Sequence, residues 1–142
     1  MSKSSTDSVR TPPVILKALR KEFGKLYDPV PYNPKFNPKK HKDALTTEWG
    51  KVNFINPPFS KTKQFLEKTH EQWSKKNRTC IILLKTNIAS KMYFEKYGKG
   101  AEIRFVQYPT VFPGYKLPAP FGIMLLIFRA GKRSSKWKTV VF

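Results

Sequence analysis

Acidic residues are scarce in this chain. Its 142 residues include 9 Asp and Glu against 28 Lys and Arg, a formal net charge of +19. That balance excludes an acidic, self-solvating chain and favours a polyanionic partner, with nucleic acid the default. A merely basic, solvated surface is the bland counterpart. Only three residues are aspartate: Asp7, Asp28 and Asp43. Cysteine is nearly absent, and Cys80 alone excludes an internal disulfide. Set in the apolar run Thr79–Leu84, it suits core packing in a reducing compartment. Long apolar runs are missing as well. The longest, GIMLLIF at 122–128, is far too short to span a bilayer. The opening MSKSSTDSVR carries no apolar signal core, so secretion is not expected. His41 and His70 stand apart from any ligand pattern and read as ordinary surface residues, so no metal site is expected.

What is present suits one globular domain with one modest core, since 39% of the residues are hydrophobic. Residues 1–10 read as a disordered polar tail, 11–130 as the domain, and 131–142 as a basic C-terminal tail. Thr11-Pro12-Pro13 reads as a capped helix start, followed by apolar positions at helical spacing to Phe23 and a stop at Gly24. A short strand is expected from Lys25 to Asp28-Pro29, then a Pro- and Asn-rich loop over 31–42 and a turn of helix over 43–49. Lys51–Ile55 reads as a strand. Ser60 reads as the cap of a helix over 61–75, with Phe65, Leu66, Thr69 and Trp73 on one face. Thr79–Leu84 is an unbroken apolar strand of the kind buried on both faces. A helix over 90–97, a strand over 102–108, an aromatic Pro-rich loop over 109–121 and a strand over 122–129 follow, with a last strand expected at 139–142. Alternating helices and strands predict an α/β fold with a mostly parallel sheet. The final loop lacks a helix, so its two strands should pair antiparallel.

One stretch carries chemistry. VNFINPPFS at 52–60 is a strand that ends on Asn56, stiffens at Pro57-Pro58 and presents Phe59. In parallel sheets, ligands bind at the carboxyl ends of strands. An Asn-Pro-Pro-aromatic tetrapeptide there suits methyl transfer to an amine conjugated with a ring, such as N6 of adenine. That amine is a poor nucleophile, because its lone pair is delocalised into the base. Two acceptors aimed at its N–H groups draw it toward tetrahedral geometry. The Asn56 side-chain oxygen can be one and the Pro57 carbonyl the other, held still by the two prolines. Phe59 can stack on a base turned out of its helix. A methyl donor, S-adenosylmethionine, then needs only in-line placement. The competing reading is a plain Pro-rich loop after a strand.

These residues resemble the small phage-type DNA N6-adenine methyltransferase (Dam) family. RTPPVILKALRKEFG at 10–24 is similar to its opening segment, and LYDPV at 26–30 to its first strand. DALTTEWGKVNFINPPFS at 43–60 resembles its Asp-Ala-Leu, Trp and Asn-Pro-Pro-aromatic-Ser run. YFEKYGKGAEIRFVQYPTVFPG and APFGIMLLIFR, within 93–129, resemble its closing helix, strand, aromatic loop and last strand. The resemblance implies a truncated Rossmann-like, SAM-dependent methyltransferase fold with an antiparallel C-terminal strand pair. It implies a catalytic group of Asn56, Pro57, Pro58 and Phe59. Asp28, with Pro29, would lie near the donor's methionine or ribose end, and Asp43, with Ala44 and Leu45, near its adenine. Thr11 and Pro12 would line the same pocket. Read from the residues alone, Asp28 is equally a turn residue and Asp43 a helix cap.

DNA contacts are expected from Ser60, Lys61 and Lys63, and from Phe112, Tyr115, Lys116 and Phe121 of the 109–121 loop, which reads equally well as a lid on the core. Pro-Val-Pro-Tyr-Asn-Pro follows Asp28 where larger methyltransferases have glycines. Residues 29–55 are all that separate Asp28 from Asn56, so the sheet should be short. Its open edges would need cover from a second copy or a partner subunit. The implied setting is a host cell, in cytoplasm or nucleus or with a virion. Two other functions stay open: adenine-N6 methylation of RNA, and a catalytically inactive, basic nucleic-acid-binding protein with the same fold.

Overall fold

A computed structural model describes residues 7–33, 39, 43–107, 112–116 and 122–142. The first helix, α1 (Pro13–Phe23), is followed by β1 (Val52–Ile55), α2 (Thr62–Ser74), β2 (Thr79–Lys85), α3 (Met92–Gly98), β3 (Glu102–Val106), β4 (Ile123–Phe128) and β5 (Trp137–Val140). Five strands form one sheet in the order β1-β2-β4-β3-β5. β1 and β2 are parallel, as are β3 and β5, whereas β4 runs antiparallel to both β2 and β3. Four strands therefore point one way and β4 alone points back. This is the short α/β sheet expected, with the antiparallel pair formed by β3 and β4. The return strand slots between β2 and β3 because β4 is apolar throughout and fits only where both faces are covered.

Side-chain alternation sorts β2 and β4 into two cores. Ile81, Leu83, Leu125 and Ile127 pack with Ile15 and Leu19 of α1 on one face. Cys80, Ile82, Leu84, Leu126 and Phe128 pack with Phe65, Leu66 and Trp73 of α2 on the other. In α1 the buried pair Ile15 and Leu19 is spaced one turn apart, as the sequence pattern requires. Gly24 ends that helix at φ +80, a region where an L side chain is strained, and its N–H bonds Arg20 O at 2.8 Å.

Several local expectations are corrected. Residues 25–30 do not form a strand. Gly24 and the Asp28-Pro29 turn leave room for a single parallel bridge, Tyr27 to Asn53. Gly50 allows that close approach, since a Cβ there would meet the Tyr27 side chain at 2.8 Å. Neither Thr11 nor Ser60 caps a helix: the caps are Pro12 and Lys61, without side-chain bonds. Ser60 lies in a 3-10 turn, Phe59–Lys61, because the prolines before it hold the chain off the helical path. The last strand falls at Trp137–Val140, inside the stretch read as a basic tail, where it can pair with β3. His70 is half-buried against Trp73 and Tyr97, with ring centroids 5.5 and 5.9 Å away. His41 lies outside the described residues.

Candidate active site

Parallel pairing brings three carboxyl ends to one side of the sheet: the Tyr27 bridge leading to Asp28, β1 leading to Asn56, and β2 ending at Lys85. Asn56 is half-buried, Pro57 buried, and Pro58 and Phe59 half-buried. The turn after β1 uses the Pro58 carbonyl, which accepts from Lys61 N at 2.9 Å, and the Phe59 carbonyl, which accepts from Thr62 Oγ1 at 2.8 Å. It does not draw on the Pro57 carbonyl. Lys85 Nζ stands 4.0 Å over the Phe59 ring, a cation-π contact that holds one face of the phenyl.

The Asn56 amide is the most informative group. Its Nδ2 donates to Val9 O at 2.8 Å and to Thr11 Oγ1 at 2.9 Å. Its Oδ1 is buried and has no hydrogen-bond partner among the described residues. Leaving such an acceptor unmatched costs about 1–3 kcal/mol, so folded chains rarely do so away from a site.

Residues 7–11, read from sequence as mostly polar tail, lie against this motif. Asp7 accepts from Ser60 N at 2.7 Å and Ser60 Oγ at 2.8 Å, and Arg10 sits 5.1 Å over the Tyr32 ring. Both donors of Ser60, a residue expected at DNA, are thus held by Asp7. Neither Asp7 nor Val9 was among the sequence candidates. The only available signal was that Asp7 is one of three aspartates in an acid-poor chain. Lys85 was likewise missed, as its approach to Phe59 depends on β1–β2 pairing.

Asp28 and Asp43 each close a small turn. Asp28 Oδ1 accepts from Val30 N at 3.0 Å, and Asp43 Oδ1 accepts from Leu45 N at 2.9 Å. Both residues are exposed overall. Crowding raises the Asp28 pKa, opposed in part by the Val30 N–H. Ala44 is buried, its carbonyl accepting from Trp49 Nε1 at 2.9 Å, and Leu45 packs on the α2-side core, as does Val30. Pro12 is buried at the start of α1 and Pro29 is half-buried. The structure thus gathers Thr11 with Asn56, and it places Asp28 at the same sheet end.

Lys61, Lys63 and Lys116 are exposed. Phe112 is corrected from DNA contact to core residue: it is 3% exposed among the α1-side apolar residues, and Tyr115 is partly buried against the same cluster. The lid reading of the loop holds for these two rings, because α1 leaves an apolar surface that they cover. Phe121 lies outside the described residues. Among the described residues, no three His, Cys, Asp or Glu groups gather to hold a metal, and no helix is long and apolar enough to cross a membrane.

A family model described as DNA N-6-adenine-methyltransferase (Dam) matches residues 1–112. No curated protein matches the chain. Among solved structures, a predicted O-methyltransferase from Agrobacterium tumefaciens is similar at 15% identity and a TM-score of 0.38. That similarity covers 68% of this chain and 42% of the other.

Proposed function

The chain belongs to the DNA N-6-adenine-methyltransferase (Dam) family, and we propose that it methylates N6 of adenine in DNA with S-adenosylmethionine as donor. One observation carries the reading: Asn56 Oδ1 is buried at a strand's carboxyl end with no partner among the described residues, while both amide hydrogens of the same side chain are held. A buried acceptor of that kind matches an incoming N–H donor. Adenine N6 brings two, and the Pro57 carbonyl, unused by its own turn, takes the second. Held by both acceptors, the amine loses conjugation and its lone pair turns toward the methyl. Phe59 offers a ring to the base, while Lys85 steadies that ring from above.

S-adenosylmethionine would supply an electrophilic methyl carried on a sulfonium, with a neutral thioether as its leaving group. The surplus N6 proton passes to water after transfer. The chain's residues fit that donor in kind. Asp28 and Asp43 each have one carboxylate oxygen tied to a local N–H and the other oriented by it, which suits hydroxyl, amino or cationic groups. The exposed Lys61 and Lys63 lie just past the motif, where DNA phosphates would need neutralising.

The test is transfer of labelled methyl to unmethylated double-stranded DNA, with RNA in parallel and nucleoside mass spectrometry as readout. Wild type yields N6-methyladenine in DNA. Asn56→Ala lowers kcat on the order of 100-fold, as loss of one group aimed at the transition state does, while DNA binding survives. Normal transfer by Asn56→Ala, or none by wild type, overturns the reading. Methylation of RNA alone would move the substrate and keep the chemistry.

A further inference from the structure

We propose that Thr11, with the main-chain carbonyl of Val9, is a positioning residue that fixes which end of the Asn56 amide meets the base. This rests on the reading of Asn56 as the acceptor for N6. A carboxamide has two ends of nearly equal size and opposite hydrogen-bonding sense. Turned by half a rotation, Asn56 would aim N–H groups at an amine, donor against donor, and the reaction would stop. Something outside the tetrapeptide must therefore hold the side chain.

The geometry points to residues 9 and 11. The Val9 carbonyl can only accept, so the atom 2.8 Å from it must be the amide nitrogen. Thr11 Oγ1, at 2.9 Å, takes the other amide hydrogen. With both hydrogens held, Oδ1 is the end left for substrate. The anchor is itself rigid. Thr11 leads directly into buried Pro12 and α1, and Val9 packs on the α1-side core. Asp7, four residues before Thr11, is tied to Ser60 by two bonds. Residues 7–10, read from the sequence as polar tail, thus help to hold the Asn56 amide.

Thr11→Val keeps the side-chain shape and removes the acceptor, whereas Thr11→Ser keeps the acceptor. In the full-length protein, Thr11→Val should lower kcat about tenfold, the weight of one hydrogen bond. KM for donor and for DNA should stay unchanged, and Thr11→Ser should restore kcat. An independent readout is hydrogen exchange at the Asn56 side-chain amide by nitrogen-15 NMR, assigned by its loss in Asn56→Ala. Both amide hydrogens should exchange slowly in wild type, and one should speed up in Thr11→Val. Wild-type kcat in Thr11→Val overturns the inference while the methyl-transfer reading stands. So does a raised donor KM at constant kcat, which would make Thr11 a wall of the donor pocket. Absence of transfer by wild type removes the reading itself.

Discussion

Asn53 near the start of β1 and Asn56 just past its end have opposite fates. Asn53 is fully buried with both amide ends matched: Oδ1 accepts from Gly50 N at 2.7 Å, and Nδ2 donates to Gly50 O at 2.9 Å and Thr79 O at 3.2 Å. It joins β1 to β2 and, fully buried, is closed to a ligand. Asn56 keeps one end open. The tetrapeptide made Asn56 legible in the sequence, but Asn53 was not, because its bonds go to main-chain groups of Gly50 and of Thr79 on the neighbouring strand, which no side-chain pattern marks. The same neighbourhood settles Cys80. Burial pushes its thiol pKa up to about 12, with Asn53 Nδ2 3.7 Å away as only a partial counterweight. The thiolate is the reactive form, so alkylation at pH 8 should track unfolding and not the native state. Rapid labelling of native protein by iodoacetamide would contradict this.

The helix and the far side of the sheet are joined by ions. Arg104 of β3 reaches both Glu22 carboxylate oxygens of α1 at 2.6 Å and Glu102 at 2.7 Å. Arg129 bonds Glu102 at 2.6 Å and Glu22 at 3.1 Å. These pairs set α1, and hence Thr11, against the sheet. The Arg104 hydrogen bond holds the Glu22 carboxyl below the usual range. Burial pushes Glu102 up, but bonds from Arg104 and Arg129 more than reverse it, and its pKa is also lowered. A lowered folded-state pKa stabilises above the unfolded value and is lost as pH falls through the folded one. Acidification below about pH 4.5, the ordinary carboxylate value, should therefore destabilise wild type. Arg104→Met should cost roughly 3 kcal/mol at neutral pH, at the low end for a broken buried pair because Glu22 is 37% exposed. It should also flatten the acid dependence. Chemical denaturation at pH 7 and pH 3.5 checks both, and equal acid sensitivity in the two proteins would show the network to be inert. None of this network is readable locally, since Glu22 and Arg104 lie far apart along the chain.

Across the whole molecule, charge is the dominant property. A net +19 makes binding to any nucleic acid strongly salt-dependent through counterion release. The proposed DNA contact at Lys61 and Lys63 predicts that replacing either with Ala lowers the slope of log affinity against log salt by roughly one. Fluorescence titration over a salt series checks this, and an unchanged slope would place the DNA elsewhere. At the sheet's far edge, β5 leaves Trp137 67% exposed, with Val141 and Phe142 beyond it.

Local chemistry was enough to read the strand ending in Asn-Pro-Pro-Phe, the amphipathic α1, the strand at Thr79–Leu84 apolar on both faces and the basic character of the chain. Each depends on periodicity or on the conformational limits of proline, which act over a few residues. The return of β4 between β2 and β3, the burial of Phe112, the Glu22–Arg104 link and the docking of residues 7–11 on Asn56 were decided only by the tertiary structure. Each joins groups distant in sequence, and their pairing is set by which apolar faces must be covered. The candidate site follows the same division: the motif supplies an amide, and the fold decides which of its ends is bonded and which is left unmatched among the described residues.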